Sequence, residues 1–405
     1  MVIRGLVSNA YARRVRALSG VLLILAFAMS SPCQAQAPTP DALMDWAETA
    51  YANLFPGHQS NRTADSFVYR YYPAGNSFLG VKSDGGVYVL FRNTDTQVRY
   101  VAALVDFNCL VTPAASTCRP PIYTVFFTHI EDSTPTGTLG TAAARSNYLV
   151  WRDRLIQMAQ LARRYNMTWV LQPDWKFLEA ARLYEDSTTM ASTGGVNVLR
   201  YVRDTLGTVI DAHSHESGGY NYTDVAYLLD LLGVGGSTVI GGHIWDPALP
   251  QFAHWERFRV PVAGTHYLSA SWRGDILMGS GTPNHTNDPI VSGVWRPKDP
   301  NNYFVDAPSG NIAAIGQYNG DIAGITTLRG LYESGRMATT CMLTNTISLR
   351  PTMISSAANL NTVEQDLLVP LQSLRDSGQI VVTDFTSLVA TWKSRFASKG
   401  CLYQE

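Results

Sequence analysis

The sequence predicts an α/β fold for most of the chain, entered through a small α+β module. Two observations predict it. From Ile122 onward, apolar runs of strand length alternate with segments of helical periodicity, the pattern of parallel βαβ units. Before that point, short β-rich runs follow one another between Gly, Asn and Asp breaks. A third observation points to where function lies. Several strand-like runs finish in His, Asp or Glu, and α/β folds gather their active sites at the C-terminal ends of strands.

The bulk properties narrow the choices. A chain of 405 residues suggests two to three domains, and 46% apolar residues supply a large core. The net charge of −1, without a basic or acidic block, argues against a nucleic-acid binder or a polybasic membrane binder. The 20 Tyr and 9 Trp fit sugar handling, and they fit a large core equally well.

Residues 1–35 read as an export signal. Arg13, Arg14 and Arg16 precede the apolar run Ala17–Met29, which is shorter than the roughly 20 residues that span a bilayer. Small residues then offer a cleavage site after Ala35. Cys33 follows Pro32 and does not form a lipid-attachment box. No later segment reads as a membrane span, so the mature chain is expected to be periplasmic or extracellular. Export makes the four remaining cysteines candidates for two disulfides. Four cysteines allow three pairings. The expected one joins Cys109 to Cys118 and Cys341 to Cys401.

In the expected module, residues 38–110, Leu43, Trp46, Ala47, Ala50, Tyr51 and Leu54 recur at helical spacing up to Pro56-Gly57. Four β-rich runs follow: "SFVYRYYPA", "SFLGVKS", "GGVYVLFR" and "VRYVAALVDF". Their pattern resembles a short module at the front of exported bacterial proteins. Residues 111–121, "VTPAASTCRPP", read as a linker. The expected catalytic domain spans 122–405. It opens with the strand "IYTVFFTHIED", the helix "SNYLVWRDRLIQMAQLARRYN" and the strand "MTWVLQPDW". Helices "FLEAARLYE" and "VNVLRYVRDTL" lead to a third strand, "TVIDAHSHE". Next come the helix "TDVAYLLDLLG", capped by Thr223 or Asp224, and the strand "STVIGGHIW". Residues 281–297 read as a long polar loop. The chain closes with helix, strand and helix: "NTVEQDLLVPLQSLRDSG", "QIVVTDF" and "TSLVATWKSRF".

Seven of the eight histidines fall between 129 and 285, with His58 the exception. Three expected strand ends are metal-capable: His129 to Asp132, Asp211 to Glu216, and His243 to Asp246. A His-x-His pair leaving a strand puts both imidazoles on one face. His213 and His215 can therefore chelate one divalent ion, zinc being the usual choice, with Asp132 from a neighbouring strand as third ligand. Glu131 is then a candidate general base on the activated water. A lone histidine more often satisfies local backbone groups; the pair, facing acids on an adjacent strand, favours a metal.

These motifs resemble the polysaccharide deacetylase-like (NodB-homology) family, over residues 122–395. "HIEDS" stands where that family has T-F-D-D-G, so Glu131 matches its base and Asp132 its metal-binding Asp. "TVIDAHSHE" stands where the family has its histidine run, and His213 matches the first metal histidine. The resemblance implies a distorted (β/α) barrel of NodB type. It also implies metal-dependent hydrolysis of N- or O-linked acetyl groups on a polysaccharide or oligosaccharide. The chain departs from the family at Ser217, where a second histidine is expected, and His215 must substitute. It also lacks the late catalytic histidine, offering Arg350 there; His243, His266 and His285 are the candidates to supply the acid. Trp245, Trp295 and Arg296 are the candidate sugar contacts.

Two other readings stay open. A barrel with these departures can be a non-catalytic carbohydrate-binding or cell-envelope protein. "DAHSH" also resembles the D-x-H-x-H opening of amidohydrolase-type barrels, although there it lies on the first strand.

Overall fold

The structure, a computed structural model, describes the backbone of residues 67–72, 77–82, 89–93 and 98–102, and the whole of 119–243, 254–278, 290–316 and 320–405. The expected leader, the helix Leu43–Leu54, Cys109 and Cys118, and Trp245, Asp246 and His285 lie outside these residues.

The four N-terminal segments are strands β1 (Phe67–Tyr72), β2 (Ser77–Lys82), β3 (Val89–Asn93) and β4 (Val98–Ala102). They form an antiparallel sheet in sequence order.

From Ile122 the fold is α/β with mainly parallel strands. The first sheet is centred on β5 (Ile122–Ile130), whose nine residues are all buried. A parallel strand covered on both faces must be apolar throughout, and "IYTVFFTHI" nearly is. Its parallel neighbours are β6 (Trp169–Pro173), β15 (Thr344–Ser348) and β16 (Ile380–Val382). Beyond β6 lies β7 (Val209–Ile210). After Asp211 the same segment continues as β8 (Ala212–His213), the edge of a second sheet. That sheet runs on in parallel through β9 (Val239–Gly241), β12 (Ile276–Met278) and β14 (Ala313–Ile315). It ends in antiparallel β13 (Val291–Trp295) and β17 (Cys401–Gln404). A short hairpin, β10 (Val262–Ala263) with β11 (Ser271–Trp272), stands apart.

The two sheets share the segment 209–213 and also meet at β13 and β15. There the Ser292 hydroxyl donates to Thr344 O at 2.7 Å and Gly293 N donates to Thr344 Oγ1 at 2.9 Å.

Helices form where apolar residues recur at three and four positions and a side chain caps the start. The helix Ala142–Arg164 begins at Thr141, whose hydroxyl accepts from Ala144 N. It buries Ala144, Tyr148, Leu155, Met158, Ala159 and Ala162. On the same face Arg152 is buried, held by Glu185 at 2.8 Å and by Ser192 and Thr193.

Four expectations are corrected. The helix Tyr222–Leu231 is capped by Asn221, not by Thr223 or Asp224; Asp224 is the third helical residue and completes a capping box. "VNVLRYVRDTL" is a single helical turn, Val198–Arg200, followed by a π-helical stretch to Leu206. The closing helix is interrupted by another π-helical stretch, Glu364–Leu368. The stretch 281–297 is not a loop to its end, because Val291–Trp295 is buried sheet. Cys341 and Cys401 form a disulfide, which ties β17 to the segment before β15.

Candidate metal centre at the strand ends

Parallel pairing brings the C-terminal ends of β5, β6 and β8 together. Glu131 and Asp132 follow β5, Asp174 follows β6, and His213 ends β8. The register sets His129 beside Gln172, and the His129 Nε2–H donates to Gln172 Oε1 at 2.8 Å. The rings of His129 and His213 stack with centroids 4.0 Å apart. Gly242 makes room for this pair. It has φ +71°, and a Cβ there would lie 2.4 Å from His213 Nδ1 and 2.9 Å from the His129 ring.

Glu131 lies at the focus of the imidazoles. His213 Nε2 and His215 Nε2 each stand 3.1 Å from the same carboxylate oxygen, Oε2. The opposite ring nitrogens are turned to acceptors. His213 Nδ1 lies 3.1 Å from Gly241 O, and His215 Nδ1 faces Asp132 Oδ1 at 3.6 Å. An Nδ1–H pointed at an acceptor leaves the Nε2 lone pair facing inward, the tautomer that ligating histidines use. His213 therefore has acceptors at both nitrogens. Either it carries two protons, or its Nε2 shares a cation with Glu131.

The spacing fits an ion. Bonds of about 2.0–2.2 Å at tetrahedral or octahedral angles put neighbouring ligand atoms about 2.8–3.6 Å apart. Both 3.1 Å separations fall in that range. Two imidazoles and a carboxylate are also a donor set that suits zinc. Asp174 is a second carboxylate within reach of both rings, its ligand atom within 4.8 Å of theirs. His129, Glu131 and His213 form another such group. Glu131, His213 and His215 do not all meet that spacing together, so sharing one ion among the three requires an inward movement of His215.

In the metal-free protein the electrostatics couple Glu131 to the imidazoles. Burial would raise the Glu131 carboxyl, but the hydrogen bond from His213 and the charges of His213, His129 and His215 hold it at about 2. Burial works to lower His213, yet Glu131 and Asp174 raise it above its ordinary value. Burial, with His213 beside it, drives His129 well down, so it stays neutral. Burial also raises Asp174, against the pull of His213 and of the Trp175 and His215 backbone N–H groups.

The structure places the expected residues unequally. His213 and His215 come together as the spacing suggested. Glu131 stands between their Nε2 atoms, whereas Asp132 faces the far side of His215 and accepts a hydrogen bond from Ser217. His243 is completely buried against Phe258, and burial, reinforced by Arg257, holds it at about 3. A ring so held does not donate protons at neutral pH, which counts against it as the acid. Trp295 is 0% exposed, with its indole N–H donated to Tyr303 O. It is a core residue, not an open sugar platform. Arg296 is clamped by Asp306 through two nitrogens and lies over the Trp392 ring. Its guanidinium is spent inside the fold. The sequence reading passed over Asp174 and Gln172. Asp174 follows the same rule that revealed the others, a carboxylate just past an apolar strand.

No family model matches the chain, and no curated protein matches it. Among solved structures it is similar to a probable polysaccharide deacetylase from Pseudomonas aeruginosa PAO1. That likeness has 12% sequence identity and a TM-score of 0.40, and covers 67% of this chain and 91% of the other. It is too remote to carry an assignment, which rests on the residues themselves.

Proposed function

We propose that this chain is an exported, metal-dependent hydrolase that removes N- or O-linked acetyl groups from a polysaccharide or oligosaccharide. The carrying observation is the convergence of His213 Nε2 and His215 Nε2 on one oxygen of Glu131. On this reading Glu131, His213 and His215 hold a divalent ion, zinc by donor type, and the role expected of Asp132 passes to Glu131. When bound, such an ion polarises an acyl oxygen and lowers the pKa of water.

The chain's own groups do the rest. The Gly241 carbonyl holds His213 with Nε2 inward, and the Asp132 carboxylate stands 3.6 Å from Nδ1 of His215. The position of Glu131, with one oxygen facing Nε2 of both rings, favours it as ligand over its expected role as base. Asp132, behind His215 and engaged by the Ser217 hydroxyl, serves on this reading to position that ring.

The two sheets, joined at 209–213 and bridged at Ser292–Thr344, support reading 122–405 as a distorted (β/α) barrel. Residues 38–110 then form a separate module, joined by the linker 111–121. The Cys341–Cys401 disulfide is compatible with an oxidising compartment.

The test is acetate release from partially acetylated glycans, with and without a chelator. Release that stops with the chelator and returns with zinc supports the reading. The burial of His243 favours a second reading, a barrel that binds sugar without cleaving it. Glycan binding that survives chelation, with no acetate released, selects that one.

A further inference from the structure

The loop after His215 turns back over the indole of Trp175. Gly218 permits the approach: its φ is +63°, and a Cβ there would lie 2.6 Å from the indole ring. The turn delivers Ser217 between two groups. Its hydroxyl donates to Asp132 Oδ2 at 2.5 Å and accepts from the Trp175 indole N–H at 3.3 Å. The other oxygen of Asp132 faces His215 Nδ1 at 3.6 Å, and His215 aims Nε2 at Glu131.

Trp175 is a firm anchor for this chain. Its backbone N–H donates to Asp174 at 2.6 Å. Its ring stacks on Tyr220, centroids 4.5 Å apart, and Tyr220 stacks in turn on His266 at 4.2 Å. The hairpin tip that carries His266 is pinned by the buried carboxylate of Asp224, which accepts from the backbone N–H groups of Thr265, His266 and Tyr267.

The donors run one way, from indole to hydroxyl to carboxylate. A hydroxyl that accepts one hydrogen bond donates the next more strongly. A carboxylate on the far nitrogen of a ligating histidine fixes its tautomer and ring orientation. Ser217 occupies the position where the family resemblance calls for a second histidine. We infer that Ser217, braced by Trp175, is a positioning residue that acts through Asp132 to aim His215 at the ion. The inference rests on the metal-centre reading above.

Zn2+ and Co2+ affinities of the full chain, measured by competition with a chromophoric chelator, test it. Ser217→Ala weakens both by about 10–100-fold, the usual effect of losing such a partner. Ser217→Thr keeps the hydroxyl and stays near wild type. Trp175→Phe keeps a ring but loses the N–H, and binds more weakly than wild type. The visible spectrum of the Co2+ form shifts in Ser217→Ala and not in Ser217→Thr. Melting of the metal-free proteins shows whether a variant has lost its fold; where Ser217→Ala has, Trp175→Phe carries the test. Affinity in Ser217→Ala equal to wild type overturns the inference. So does a folded Ser217→Thr as weak as Ser217→Ala. A wild-type chain that takes up neither ion overturns the metal-centre reading itself, and the inference falls with it.

Discussion

Glu131 Oε2 stands 3.1 Å from His213 Nε2, while the other nitrogen of that ring is tied to Gly241 O. In the metal-free protein this contact is an ion pair with a defined pH window. The Glu131 carboxyl is depressed to about 2, so its contribution is present above its unfolded value and is lost as pH falls toward 2. The His213 ring is raised, so its contribution is full below about 6.5 and is lost as pH rises through its folded value. Glu131→Gln is expected to lower metal-free stability most between about pH 4.5 and 6.5. The loss is about 1 kcal/mol, since Glu131 is a third exposed. Melting curves across pH, taken in chelator, check it; a pH-independent difference contradicts it.

Gly242 is predicted to tolerate no side chain. Gly242→Ala adds a Cβ 2.4 Å from His213 Nδ1 at a residue with φ +71°. Strain of about 1–3 kcal/mol is expected, together with loss of the His129–His213 stack and weaker ion binding. Denaturant unfolding and an ion titration of the same variant measure the two effects separately.

His243 makes the fold acid-sensitive. Burial holds the ring at about 3, while the unfolded chain takes up its proton near 6.5. Between these values the unfolded state binds more protons, so stability falls as pH falls, by about 1.4 kcal/mol per unit at most. His243→Gln is expected to flatten this slope. Unfolding free energies at pH 5 and pH 7 for both proteins decide it, and equal slopes speak against it.

Arg152 and Glu185 form a buried ion pair at 2.8 Å, reinforced by the Tyr148 hydroxyl on Glu185. Arg152→Met strands a buried carboxylate and is expected to cost about 3–5 kcal/mol. Ion binding per folded molecule stays at the wild-type level, because none of these groups touches the centre. A denaturant midpoint that does not move contradicts the prediction.

The parts of this design that show in the sequence are those set by periodicity. β5 was legible because a strand buried on both faces needs an apolar run, and the histidine pair because it leaves a strand after such a run. The division of labour between Glu131 and Asp132 was not. Adjacent residues at a strand end point to opposite sides, and only the folded turn decides which carboxylate meets the imidazoles. Trp295 misled for a related reason: an aromatic in a polar stretch reads as surface until β13 places it in the core. Ser217 looked like a missing ligand, because nothing in the sequence brings the Trp175 indole to its hydroxyl.

The central claim is one ion held by Glu131, His213 and His215. Elemental analysis of the purified wild-type chain, alongside His213→Ala and Glu131→Gln, tests it most directly. The account predicts one equivalent of a divalent metal, zinc foremost, in the wild type after dialysis against that metal, and little in either variant. A wild-type chain that holds none, or variants that retain a full equivalent, contradicts it.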